Sequence, residues 1–245
     1  MRKCGLLPAP REYFVSKMTS LPPSRFFPPA ESADTEGVVG FGGKLTPEWL
    51  LDAYQHGIFP WPTGDPGFPV PWCSPDPRAI FDLDQFHIPR RLAQTCRSGR
   101  FRVTFDTDFS GVIRGCASAG MRGGQTWLTS PMIRAYIRLF ELGHCHSVEV
   151  WHDEQLAGGT YGLASGGLFA AESMFYCVRD ASKVALVRLI ERLRRRGYTL
   201  MDIQQLTPHT AQFGAIEIPR AEYLRRLTES HAVAVTFGDP GEETR

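Results

Sequence analysis

Seven of the chain's 19 prolines fall within residues 60–77, PWPTGDPGFPVPWCSPDP. Proline fixes φ and removes a backbone donor, so neither a helix interior nor a central strand can run through such a segment. The run reads as a long, stiff loop, and it divides the 245-residue chain into unequal blocks. A small N-terminal domain over 26–76 and a larger one over 77–237 are expected. Residues 1–25, rich in proline and charge without periodicity, read as a loosely ordered extension, and 238–245 as a flexible tail.

Within the blocks, periodicity and punctuation predict a mixture of elements. LTPEWLLDAYQHG has Thr46 at the N-cap, Pro47 at the first helical position, Leu50, Leu51 and Tyr54 at helical spacing, and Gly57 as a stop. SPMIRAYIRLFELGH predicts a second helix ended by Gly143, and DASKVALVRLIERLRRRG a third between Asp180 and Gly197. Between these two, SVEVW, LAGGTYGLA and LFAAESMFY alternate and are joined by turn residues, as in an antiparallel meander. LMDIQQL is a further strand. The order predicts an α+β fold.

Apolar residues at 42% and charged residues at 22% are those of an ordinary globular protein, and a net charge of +1 argues neither for nor against a polyanionic partner. The six cysteines are scattered with no CxxC pair, which excludes a metal knuckle or redox motif and suits a reducing compartment. Cys116, Cys145 and Cys177 lie among apolar residues as small core fillers. No apolar run approaches a membrane span, and MRKCGLLPAP is too short for a secretory signal, so a cytoplasmic location is expected.

Two acids stand out against this background. Glu172 lies in FAAESMFYC, where strand alternation puts it beside Leu168, Ala170 and Met174, and Asp202 lies in LMDIQQL on one face with Gln204. A carboxylate withdrawn from water costs several kcal/mol unless it is paired, so each needs a partner. For Glu172 that is either a structural ion pair with Lys183 or an arginine, or a functional contact. Arg188, Arg192 and Arg195 fall at i, i+4, i+7 on the third helix, opposite Leu186, Ile190 and Leu193. HIPRRLAQTCRSGRFR adds Arg90 and Arg91 to a second basic cluster. Such clusters match phosphate geometry, or are simply solvated faces. His144 and His146 share a strand face without a second ligand cluster, and Ser173 lacks a nucleophile-elbow context, so no metal and no serine nucleophile are expected.

The segments FFPPA, GFGGKLTPEWLLDAYQHGIFPW, WCSPDPRAI, GCA, TWL, AYIRLFELGHCHSVEVW, GGTYG, ESMF, ASKVAL, DIQ, HTAQFGA and EIPRAEYLRRL follow one another between Phe26 and Leu227. In that order they resemble the leucyl/phenylalanyl-tRNA–protein transferase family. The resemblance implies an acetyltransferase-like larger domain that binds the end of an aminoacyl-tRNA in place of coenzyme A. It also implies transfer of Leu or Phe to proteins with N-terminal Arg or Lys, which marks them for N-end-rule degradation. No metal or small-molecule cofactor is implied, and a monomer without membrane attachment is expected.

On the same resemblance, Glu172 helps hold the aminoacyl-adenosine end, while Asp202 and Gln204 serve the reaction, Asp202 fixing and polarising the Gln204 amide. Trp61 and Trp127 match tryptophans near the substrate, and Phe169 matches a residue of the pocket for the transferred side chain. Arg90 and Arg91 fall where the family has basic residues near the acceptor stem, with Arg188 and Arg192 as further candidates for tRNA. The sequence departs from the family at Ala171, usually glycine, at Thr160, often methionine, and at Cys73, a tryptophan in WWSP-like segments. The loop before TWL is AGMRGG, with Arg122 keeping its place. These departures bear on which amino acid is transferred, methionine included. A coenzyme A–dependent N-acetyltransferase is an alternative, disfavoured because VRDASKVAL lacks the glycines of a pyrophosphate loop. An inactive tRNA- or peptide-binding module is another, for which Gln204 would have little use.

Overall fold

The computed structural model describes residues 22–63, 65, 67–121 and 126–238. The expected tail after 238, residues 1–21 of the expected extension, and Arg122 lie outside the described residues. Residues 22–25 belong to the ordered structure. Ser24 Oγ and the Arg25 N–H donate to Asp52, at 2.5 and 3.2 Å, and His56 Nε2 lies 2.7 Å from the Pro22 carbonyl.

The smaller unit carries β1 (Val38–Phe41), α1 (Pro47–Gln55), β2 (Phe59–Pro60) and β3 (Pro71–Cys73). These strands form an antiparallel sheet in the order β1-β3-β2. The proline run is therefore not one continuous loop. Its last third folds back as β3, a strand so short that its proline costs little of the ladder. The Trp72 indole N–H also donates to the Gly42 carbonyl across this sheet, at 2.8 Å.

The larger unit follows as β4 (Arg78–Phe81), α2 (Arg90–Arg97), β5 (Arg102–Phe105), α3 (Phe109–Met121), α4 (Ser130–Glu141), β6 (Cys145–His152), β7 (Gln155–Ser165), β8 (Leu168–Tyr176), α5 (Ala181–Arg196), β9 (Leu200–Gln204), α6 (Pro208–Ala211), β10 (Ala215–Ile218) and α7 (Arg220–His231). Its seven strands lie in the order β10-β4-β9-β8-β7-β6-β5. All neighbours are antiparallel except β8 and β9, which run parallel. One parallel pair at the centre of an antiparallel sheet, bridged by a helix, is the acetyltransferase-like layout.

Each face of the sheet has its own core. Val148, Val150, Phe169 and Met201 pack under α5 and α2 on one face. On the other, Tyr161, Leu163, Ala170 and Phe175 pack against α3 and α4, and against Leu50, Tyr54, Phe59 and Trp72 of the smaller unit. The two units thus share a core. Helix α3 is not legible in the sequence because FSGVIRGCASAGM contains three glycines, which disfavour helix. Gly115 has a packing reason: a Cβ there would come within 2.6 Å of the Phe175 ring. Cys116 and Cys145 are buried as expected, whereas Cys177, at the end of β8, is exposed. No helix among the described residues is long and apolar enough to cross a membrane.

Candidate active site

The parallel ladder between β8 and β9 is brief, with rungs Leu168↔Leu200, Phe169↔Met201 and Ala170↔Asp202. Beyond that last rung the two strands part. Ala171 and Glu172 on one side, and Ile203 and Gln204 on the other, are the first residues of the opening. Strand pairs that separate leave backbone groups without ladder partners, a natural place for a ligand.

A β-bulge aims Glu172 into this opening. The β7–β8 register runs Tyr161↔Ser173 and then Gly162↔Ala171, so Glu172 has no cross-strand partner. The extra residue shifts the alternation. Met174, expected beside Glu172, packs instead against the α5-side core, while Ala170 and Phe175 share the other face. On that other face Glu172 meets two buried phenols. Tyr54 donates to Oε1 at 2.7 Å and Tyr136 to Oε2 at 3.0 Å, and the two hydroxyls lie 2.5 Å apart. The ion pair with Lys183 does not form, since Lys183 lies 3.4 Å from Asp180.

Burial pushes the Glu172 carboxyl up to about 7. The tyrosine hydrogen bonds and the Arg78 charge pull it down, while the Asp202 charge adds to the rise. Burial likewise raises the Tyr54 and Tyr136 phenols well above their ordinary range, with the Glu172 charge contributing, so both remain donors at neutral pH.

Asp202 has no exposed surface. Arg78, also fully buried, grips it with a fork: Nε donates to Oδ1 at 2.9 Å and Nη2 to Oδ2 at 2.7 Å. The Tyr223 hydroxyl donates to Oδ2 at 3.0 Å, and the Gln204 backbone N–H to Oδ1 at 2.9 Å. An ionised carboxylate offers about four acceptor positions, and here four donors fill them. Asp202 therefore has no lone pair left for a substrate proton, and it reaches Gln204 through the backbone rather than the side-chain amide.

Gln204 adopts a left-handed backbone, φ +59°, beside a register irregularity in the β4–β9 ladder. Its Nε2 donates to Glu172 Oε1 at 3.3 Å. The amide is thus oriented by Glu172, with its carbonyl oxygen turned away from that carboxylate.

Around these three residues the other candidates divide by face. Trp61 and Trp127 stack at 6.2 Å with planes 6° apart, and Trp61 is 40% exposed. Trp61 also meets the Phe59 ring edge-on at 5.8 Å, and Phe59 lies under the Arg78 guanidinium. Thr160, Ala171 and Phe169 belong to the α5 side of the sheet. Thr160 Oγ1 donates to the Ser173 carbonyl at 2.9 Å, and Phe169 stacks on Phe237 at 5.6 Å. Phe169 is 1% exposed, so its ring is core in this structure.

The basic candidates also separate. Arg90 and Arg91 are exposed at the start of α2. Arg91 lines a cleft of about 200 Å³ with Arg179, Lys183 and Asp180, beside the first turn of α5. The expected stripe on α5 is not a free basic face. Arg192 is fully buried, its Nε donating to the Phe237 carbonyl at 2.6 Å and its guanidinium 3.9 Å above the Phe105 ring. Arg188 donates to Glu191 and to the Cys96 carbonyl. Helix α5 is covered by α2 and by the C-terminal segment, so an i, i+4 stripe that looks solvated in sequence is packed here. His146 is likewise occupied, with Nδ1 2.7 Å from Asp106 and its ring stacked on Phe237.

Nothing in the local sequence marks Arg78, Tyr54, Tyr136 or Tyr223 as site residues. Tyr54 reads as part of the apolar stripe of α1, and Arg78 sits unremarked within SPDPRAI. A buried acid demands donors, but sequence does not say which distant residues supply them.

The profile of the leucyl/phenylalanyl-tRNA protein transferase family matches residues 80–228, and that of its N-terminal domain matches residues 43–76. A leucyl/phenylalanyl-tRNA–protein transferase of Stutzerimonas stutzeri is 50% identical over 203 residues, spanning 82% of this chain and 89% of its own. That of Nitratidesulfovibrio vulgaris is 48% identical over 205 residues, spanning 83% and 87%. Among solved structures, the C-terminal domain of a putative lysylphosphatidylglycerol synthetase from Agrobacterium fabrum aligns with a TM-score of 0.45 at 11% identity, over 80% of this chain and 73% of that one. With two family profiles in sequence order and half the residues identical to a relative across most of both chains, this protein belongs to the leucyl/phenylalanyl-tRNA–protein transferase family.

Proposed function

We propose that the chain moves leucine or phenylalanine from the end of an aminoacyl-tRNA to the N-terminal amine of an acceptor protein that begins with Arg or Lys. The acceptor amine attacks the ester carbonyl, a C–N bond forms, and the C–O bond to the terminal ribose breaks. The amine loses a proton and the ribose oxygen gains one. The ester is already activated, so holding amine and carbonyl in contact supplies much of the rate, with modest help from proton transfer.

The observation that carries this reading is the Gln204 amide on Glu172 where β8 and β9 part. With one amide N–H committed to Glu172, the Gln204 side-chain carbonyl is the oxygen available to accept an N–H of the attacking amine. Glu172 accepts from Tyr54, Tyr136 and Gln204, which leaves about one acceptor position for the aminoacyl-adenosine end. Asp202 serves as a positioning residue. The stacked Trp61 and Trp127 offer an aromatic platform for that end, and nucleobases stack on such platforms at about 1–3 kcal/mol per base. Arg90 and Arg91 stand at a helix N-terminus, where the dipole disfavours cations by about 0.3–1 kcal/mol each; phosphates of the acceptor stem would relieve that cost. Ala171, half-buried beside the opening, bounds the space for the transferred side chain, and Thr160 and Phe169, buried on the same side of the sheet, act on that space through packing.

Radiolabelled Leu, Phe and Met are followed from charged tRNA onto peptides beginning with Arg, Lys or Ala. Transfer of Leu or Phe confined to the Arg and Lys peptides is expected. A folded protein that binds charged tRNA but moves no amino acid would make it a binding module instead.

A further inference from the structure

We propose that Arg78 is a positioning residue for the transfer step: through Asp202 it fixes the left-handed backbone of Gln204, and so aims the amide that meets the incoming amine. The inference rests on the reading of function above and extends it to a residue outside the three candidates.

Gln204 is neither glycine nor asparagine, and a left-handed backbone costs such a residue on the order of 1–3 kcal/mol unless its surroundings enforce it. The enforcing contact is the Gln204 N–H on Asp202 Oδ1, at 2.9 Å. Asp202 can hold that N–H in place only if it is itself immobile, and Arg78 immobilises it by engaging both oxygens from one plane. A planar fork fixes the roll of a carboxylate; a single ammonium point charge does not.

Arg78 is in turn held from three directions. Its Nη1 donates to the Gly57 carbonyl at 3.1 Å, and its guanidinium lies between the rings of Phe59, at 4.6 Å, and Tyr223, at 4.4 Å. Burial opposes its charge, but Asp202, together with Tyr223, outweighs that, so its pKa is raised and it stays a cation. Gly57 has φ +76°, and a Cβ there would lie 2.6 Å from Leu224 Cδ2, so glycine is what allows its carbonyl to sit against Arg78. The smaller unit, through Gly57 and Phe59, thereby sets the geometry of a glutamine on the central sheet.

The test compares Arg78→Lys, Gln204→Ala and the double variant, reading kcat and KM for charged tRNA with an Arg-peptide acceptor, with thermal midpoints measured alongside. Arg78→Lys is expected to lower kcat about tenfold or more while KM for tRNA changes less than about twofold. On the Gln204→Ala background the same change is expected to cost less than about twofold in kcat. An equal fractional loss in both backgrounds, or a loss carried by KM for tRNA, overturns the proposal. If Arg78→Lys does not fold, Tyr223→Phe removes one donor from Asp202 and leaves the ring on Arg78. A loss of kcat that vanishes in the Gln204→Ala background then supports the proposal, and no loss, or one that persists there, overturns it. Wild-type protein that transfers nothing overturns the functional reading itself, and this inference with it.

Discussion

Replacing Glu172 by glutamine removes the one site group whose protonation changes near neutrality. Burial raises the carboxyl from 4.5 to about 7 in the folded protein. A carboxyl raised in this way holds a proton that the unfolded chain releases, so its contribution to stability is intact below about 4.5 and is lost as pH rises through about 7. The shift corresponds to about 3 kcal/mol at 1.36 kcal/mol per unit. That figure is an upper bound, because Glu172 is only half-buried and the open side of the site screens its charge. Glutamine does not titrate, and the rearrangement of the Tyr54 and Tyr136 hydroxyls around it adds an offset independent of pH. Denaturant unfolding of both proteins from pH 5 to 8 should therefore show the variant gaining on the wild type by up to about 3 kcal/mol. For a chain of this size that is up to about 6–12 °C in Tm. All other titrations are common to both proteins and cancel. A difference constant to about 0.5 kcal/mol across that range would refute the buried, titrating Glu172.

Three further outcomes follow from the same geometry. Asp202→Asn leaves the Arg78 guanidinium buried without a counter-charge and should destabilise the fold by about 3–5 kcal/mol in chemical denaturation while abolishing transfer. Arg90→Glu with Arg91→Glu should raise KM for charged tRNA and flatten its salt dependence, whereas Arg192→Lys, at a buried site, should act on stability, as thermal melts would record. Thr160→Met enlarges a side chain that pairs with Met174 and breaks its bond to the Ser173 carbonyl, so the ratio of Phe to Leu transferred in a competition assay should fall about tenfold.

The elements most legible in the sequence were those with local punctuation. Gly57, Gly143 and Gly197 end three helices in left-handed conformations, and the alternation and turns of the meander place β6, β7 and β8. Helix α3 escaped because one of its glycines, Gly115, serves a contact with Phe175 that lies more than fifty residues away. The site was half legible. An acid in an apolar strand identified Glu172 and Asp202 as residues in need of partners. The partners are tyrosines and an arginine from other elements, and local pattern carries no trace of them. Strand alternation misled at Glu172, since a bulge breaks the period there, but it held on β9, where Met201 and Ile203 share the α5-side core opposite Asp202 and Gln204. The bulge is what brings Glu172 to Gln204. The basic stripe of α5 failed for the opposite reason, because the segment ending at Phe237 covers it.

Single-turnover transfer from prebound Leu-tRNA to an Arg-peptide, with wild type and Gln204→Ala at equal tRNA occupancy, tests most directly that transfer takes place at the Glu172–Gln204 opening. The predicted result is a chemical step slowed by about 10²-fold or more in the variant, with tRNA affinity unchanged. Equal rates in the two proteins would contradict it.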